Sequence, residues 1–136
     1  MKLEIKHLAP YLPYVLQIFF TDLANKYPLV VSNNSLSIRG GINIKEVIES
    51  DYYVPILRPI SDLDKEITIG NNTFVPHLLL GGRPNLTDYD LKYFENNIIH
   101  LSYDLVRQLI EWHFDIFGLI DKGLAISIHD VEQVVA

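Results

Sequence analysis

The chain of 136 residues contains no cysteine. Disulfides, zinc–thiolate centres and a thiol nucleophile are therefore excluded. It also lacks a basic cluster: the 11 Lys and Arg residues are scattered singly against 17 Asp and Glu, for a formal net charge of -6. Non-specific nucleic-acid binding needs a concentrated cationic patch to neutralise phosphates, and no stretch of this sequence supplies one. No apolar run is long enough to span a bilayer. The longest, residues 8–20, is interrupted by Pro10, Pro13 and Gln17, and it is followed by Thr21-Asp22, a poor signal-peptidase region. A cytoplasmic location is expected. The triplets beginning at Asn33, Asn71 and Asn85 then read as turn signals rather than glycosylation acceptors.

What is present is an ordinary globular balance, 49% hydrophobic and 21% charged. That composition argues against disorder. The length fits one domain over residues 1–136, and a domain of this size buries roughly two thirds of its unfolded surface. Acidic residues concentrate at 46–51 and 62–66, read as solvated ends, with a cation site or a meeting point for a basic partner as the sharper alternatives.

The local patterns predict an α+β fold: a small, mostly antiparallel sheet of hairpins packed against a C-terminal amphipathic helix. Residues 3–13, punctuated by two prolines, form a turn or helical entry. Residues 14–20 read as a strand with Leu16, Ile18 and Phe20 on one face. Residues 28–39 read as a hairpin around Asn33-Asn34, with Val31 facing Leu36 and Leu29 facing Ile38. Gly40 follows as a bulge or close approach. Residues 53–60 are strand-like, but Pro55 and Pro59 favour an edge position. A second hairpin joins 66–69 to 73–75 through Gly70-Asn71-Asn72. Thr87 caps a short helix over 88–95.

The clearest signal lies at 102–122. Ser102 is a candidate N-cap, and Leu105, Leu109, Trp112, Ile116 and Leu119 recur at helical spacing with Val106, Ile110, His113, Phe117 and Ile120 beside them. Asp104, Arg107, Glu111 and Asp115 fall opposite, with Arg107 and Glu111 four apart. Lys122-Gly123-Leu124 supplies a left-handed stop, and residues 125–128 follow as a short strand.

Four residues stand out as ligand or partner candidates: Arg58, Asp62, His77 and His113. In Trp112-His113-Phe114-Asp115, helical geometry turns Asp115 about 200° away from His113. That phase makes His113 a hydrogen-bonded packing residue and Asp115 a solvated carboxylate. In Arg58-Pro59-Ile60-Ser61-Asp62, the proline turn brings the arginine towards the aspartate, as an internal ion pair or as an arginine displayed to an anion. Asp62, Asp64 and His77 lack a recognised metal-ligand spacing, so no metal is assigned and no cofactor is implied. His7, His100 and His129 have no compelling companions in the sequence. There is no Walker loop, dinucleotide fingerprint, His-Glu-x-x-His or nucleophile elbow.

Four blocks carry a resemblance: HLAPYLPY from His7, PILRPISDL from Pro55, FVP from Phe74 and EWHFDIFGLIDKGLAI from Glu111. Together they resemble a group of short uncharacterised proteins encoded by bacterial phages and prophages, and residues 82–100 lie outside the match. The resemblance implies a phage-linked accessory role in the bacterial host cytoplasm and assigns no catalytic residue. Composition and missing motifs favour a non-catalytic interaction module whose partner is another protein. Two other classes remain. One is a small enzyme or ligand binder using a pocket near Arg58, His77 or His113, and the other is a sequence-specific nucleic-acid binder.

Overall fold

The computed structural model describes residues 2–14, 16–21, 25–30, 42–50, 52–79 and 102–135. The fold is α+β and mostly antiparallel. After a short helix Ile5–Leu8, the prolines at 10 and 13 tighten the chain into the 3₁₀ segment Ala9–Tyr14. Strands β1 (Gln17–Phe20), β2 (Asn25–Val30), β3 (Ile42–Asn43), β4 (Tyr53–Leu57) and β7 (Ile126–Ser127) make one sheet, ordered β3-β2-β1-β4-β7. Its centre is antiparallel, and β3 and β7 add parallel edges. Strands β5 (Ile67–Ile69) and β6 (Asn72–Phe74) form the expected second hairpin. Gly70, at φ 61, takes the first central position of its two-residue turn, where glycine carries no steric penalty.

Both faces of the main sheet are covered. Leu16, Ile18, Leu29 and Leu57 pack with Leu3, Leu8, Tyr11, Val47 and Leu119 on one side. Phe19 and Ile56 pack with Val131 of the C-terminal helix Ile128–Val135 on the other. Leu16 and Ile18 thus share a buried face as expected. Phe20 stays partly exposed and stacks on Tyr53 at 4.9 Å.

Residues 53–60 depart from the edge position expected of them, because β4 lies between β1 and β7. The ladder explains how Pro55 is tolerated. Thr21 N–H donates to the Tyr52 carbonyl, so by alternation the Ile18↔Pro55 pair is a non-hydrogen-bonded one. The nitrogen of Pro55 faces away from β1, and β7 pairs only from Ile56 onward. Pro28 in β2 obeys the same rule. Leu29 N–H donates to the Leu16 carbonyl, which leaves Gln17↔Pro28 non-bonded. The hairpin expected around Asn33-Asn34, the Gly40 bulge and the helix at 88–95 lie outside the described residues.

The larger correction concerns the helix expected over 102–122. Ser102 does cap it, accepting from Leu105 N–H at 3.4 Å, and Arg107 pairs with Glu111 at 3.8 Å. The helix nevertheless spans only Tyr103–Glu111. His113 adopts φ 63 and ends it. Phe114 N–H donates to the Leu109 carbonyl and His113 N–H to that of Ile110, both at 2.9 Å. These are the two bonds of a Schellman motif, with histidine where glycine is usual and Phe114 meeting Leu109 in a shared apolar cluster. The same pattern recurs at Gly123, φ 74, where Leu124 N–H reaches the Leu119 carbonyl at 2.9 Å. The expected left-handed stop at Gly123 is real, but it closes a separate turn.

Because His113 is a C-terminal left-handed residue and not a helical one, two substitutions that both remove its imidazole should separate. In a left-handed site alanine costs about 1 kcal/mol more than glycine, whereas inside a helix glycine costs about 1 kcal/mol more than alanine. Urea unfolding should therefore find His113→Gly more stable than His113→Ala. The reverse order would restore the continuous helix.

Candidate functional site

The chain that leaves β4 meets the turn after helix Tyr103–Glu111. Arg58 N–H donates to the His113 carbonyl at 2.8 Å, and Asp115 N–H donates to the Arg58 carbonyl at 2.9 Å. This makes a parallel bridge between Arg58 and Phe114. Two of the four candidate residues are thus brought together, but by their backbones. The Arg58 guanidinium reaches the Thr68 carbonyl at 3.5 Å. The His113 Nε2 lies 2.6 Å from the Tyr14 carbonyl, to which the neutral ring donates. Burial lowers the His113 pKa from the ordinary 6.5; the Tyr14 carbonyl opposes this and nearby Arg58 adds to it.

Asp115 is also not the solvated carboxylate expected from helical phase. It is 6% exposed, and its two oxygens accept N–H bonds from Leu119 at 2.8 Å and Ile120 at 2.9 Å. Burial raises its pKa, with these two donors opposing. Tyr11 O–H donates to the Phe114 carbonyl. Residues 113–115 are occupied in shaping the chain.

Asp62 does something else. Pro59 leads into the 3₁₀ turn Ile60–Asp64, which buries Ile60 and Leu63 and carries Asp62 to 1% exposure. Its Oδ2 lies 2.6 Å from His129 Nε2, 67 residues further along the chain. Its Oδ1 lies 3.8 Å from Lys65 Nζ. The His129 side chain is 52% exposed, so a buried carboxylate holds an open imidazole. Sequence reasoning left His129 without companions because nothing local connects it to Asp62. A signal for its helix was present: Ser127-Ile128-His129-Asp130 follows the Ser-x-x-acid capping pattern, and Ser127 Oγ accepts from His129 N–H at 3.2 Å.

His77 lies apart from both arrangements. It belongs to the helix Pro76–Leu79, which packs on the Ile60–Asp64 turn. Its Nε2 is buried with no hydrogen-bond partner among the described residues. Among those residues no group of three or more His, Asp or Glu is disposed to hold a metal ion.

A concavity lies elsewhere. An open groove of about 570 Å³ runs between the β5–β6 hairpin and helix Tyr103–Glu111. Asn71, Asn72, Thr73, Phe74, Leu79, Gln108, Glu111 and Trp112 line it. Phe74 and Trp112 sit 5.0 Å apart at 49°. Leu79 is 63% exposed, and Gln108 donates to Glu111 at 3.0 Å. A second cleft of about 140 Å³ lies between Leu3, Val47, Tyr53 and Leu124. Neither concavity is lined by Arg58, His77 or His113. Among the described residues no helix is long and apolar enough to cross a membrane. Comparison with protein-family models, curated proteins and solved structures finds no match.

Two histidines should make the fold acid-sensitive. Burial lowers the pKa of His113, and burial followed by Lys6 lowers that of His7, whose Nδ1 accepts from Glu4 N–H. A depressed folded-state pKa contributes stability that is present above the ordinary value and lost as pH falls through the lowered one. The urea midpoint should therefore drop as pH falls below the ordinary histidine value of about 6.5. The drop should be smaller in His113→Asn, and an unchanged slope in that variant would remove His113 from the account.

Proposed function

We propose that this chain is a phage- or prophage-linked accessory protein that acts in the host cytoplasm as a protein-interaction module. On this reading the groove beside Trp112 receives an extended segment of a partner protein. The phage link rests on the four resembling blocks. The mode of action rests on the groove's open shape and mixed lining.

Phe74, Trp112 and Leu79 offer an apolar floor for one anchoring side chain, the kind of residue set that dominates binding energy in interfaces. Around it, Asn71, Asn72, Thr73 and Gln108 present amides and a hydroxyl suited to the donors and acceptors of a peptide backbone. The hairpin contributes an edge as well. The closing pair of its two-residue turn is Ile69↔Asn72, so Thr68↔Thr73 is a non-bonded pair and its backbone groups point outward. On the β5 side Arg58 takes the Thr68 carbonyl. On the β6 side the outward groups of Thr73 face the groove's border, where an added strand can pair.

Charge narrows the occupant. Among the described residues of the lining the only ionisable group is Glu111, and the whole chain carries -6. Arg107 pairs with that carboxylate at 3.8 Å, which leaves a nucleic-acid backbone little cationic charge to meet. A neutral or basic segment with one large apolar side chain fits.

Trp112 is the single tryptophan of the chain, so its emission reports directly on this groove. Titration with short peptides tiled across phage and host proteins should find segments that shift the emission. Trp112→Ala, with circular dichroism unchanged, should weaken their capture by at least about tenfold. Binders that tolerate this substitution and Phe74→Ala equally would overturn the assignment.

A further inference from the structure

The Asp62–His129 pair lies outside the groove, and neither residue forms part of its lining. We propose that His129 is a phosphoryl-accepting nucleophile. It takes a phosphoryl group on Nδ1 from a phosphorus–nitrogen donor such as a phosphohistidine on another protein, with Asp62 as its positioning residue.

The argument begins with which nitrogen is open. Oδ2 of Asp62 sits 2.6 Å from Nε2, and a carboxylate can only accept, so Nε2 carries the hydrogen. That fixes the tautomer and leaves the lone pair on Nδ1. Nδ1 has no hydrogen-bond partner among the described residues, and the side chain is 52% exposed. A carboxylate on the far nitrogen orients an imidazole.

The burial is asymmetric in a way that a surface ion pair does not require. Asp62 is 1% exposed, within a turn that also buries Ile60 and Leu63, so the ring is steered by a rigid acceptor. Lys65, whose ammonium is 3.8 Å from the other oxygen of Asp62 and whose side chain is 63% exposed, places a cation beside the same carboxylate. That charge lies at the Nε2 end of the ring, behind the nitrogen that attacks.

The step balances without another reactant. The Nδ1 lone pair attacks phosphorus, and the phosphorus–nitrogen bond of the donor breaks with its electron pair leaving on the donor nitrogen. A donor protonated on that nitrogen in an amine, or on the far ring nitrogen in a phosphohistidine, departs as a neutral amine or imidazole. His129 becomes a phosphoimidazolium that keeps its Nε2 hydrogen, and the positive ring charge faces the Asp62 carboxylate. Stabilisation is thus greater for the product and for the charge developing towards it than for the neutral starting ring.

The probe is phosphoramidate, which carries the same bond, added to the full chain. The expected result is a single acid-labile phosphoryl group on His129, formed at least about tenfold faster than on N-acetylhistidine or on the other histidines of the chain. Phosphorus NMR should identify the Nδ1 isomer. Asp62→Asn, which retains the shape of the side chain but not its charge, should slow labelling about tenfold and mix the two isomers. If that variant fails to fold, His129→Gln should abolish the fast label, and a chain still labelled at the original rate would overturn the assignment. Labelling of His129 no faster than N-acetylhistidine, or a folded Asp62→Asn chain labelled at the original rate with a pure Nδ1 product, would reduce the pair to a tie between two elements.

Discussion

The left-handed turn at His113 is the constraint on which the rest of the structure depends. A non-glycine residue in that conformation costs about 1–2 kcal/mol, and the residues around it offset the cost together. Reversing the chain there carries Phe114 to full burial beside Leu109, Ile60 and Leu63, worth about 1.5–3 kcal/mol for a side chain of that class. It also lays the backbone of residues 113–115 along Arg58, so that β4 is continued by one bridge beyond its last strand residue. Tyr11 O–H then closes on the Phe114 carbonyl, and the His113 ring on that of Tyr14. The N-terminal 3₁₀ segment, the end of β4 and the C-terminal half of the chain are joined at one turn. A helix continuing through His113 would satisfy its own carbonyls and forfeit all of these long-range bonds.

Asp115 completes that design. The chain after a Schellman turn needs a new source of order, and here a buried carboxylate gathers the N–H groups of Leu119 and Ile120. The result is a tight loop that returns Leu119 to the main core and ends at Gly123. Desolvation works against the ionised form while the two donors work for it, which is why the group is both buried and useful.

Much of this was legible in the sequence, and the failures share one cause. The β5–β6 hairpin, the Ser102 cap, the Arg107–Glu111 pair, the left-handed stop at Gly123 and the short strand near Ile126 all follow from neighbours within a few residues. The end of the helix did not, because its stop signal is a histidine in a glycine position, and apolar periodicity continues past it. Phase arguments then carried His113 and Asp115 to the wrong surroundings, although hydrogen bonding of His113 was correctly anticipated. Pro55 misled in a related way. Proline excludes a strand from pairing only where its missing N–H would donate, and alternation in the ladder sets its nitrogen towards a side where β7 has not begun. The Asp62–His129 pair spans 67 residues and has no local trace beyond the capping pattern at Ser127.

One stretch of chain supports both exposed chemistries. Between Arg58 and Leu79 the sequence first joins the core bridge, then turns through Ile60–Asp64, then forms the hairpin and the short helix that packs back on the turn. Ile60 and Leu63 anchor this stretch to the same cluster that contains Phe114, while Asp62 between them faces His129 and Phe74 beyond them faces Trp112. The two sites therefore differ in chemistry but share a foundation. A carboxylate can be held at 1% exposure only if the turn carrying it is fixed by its apolar neighbours, and an aromatic floor can stay open only if the hairpin beneath it does not collapse. Both conditions are met by burying Ile60, Leu63 and Ile67 in one cluster with Phe114, which returns the dependence to the turn at His113.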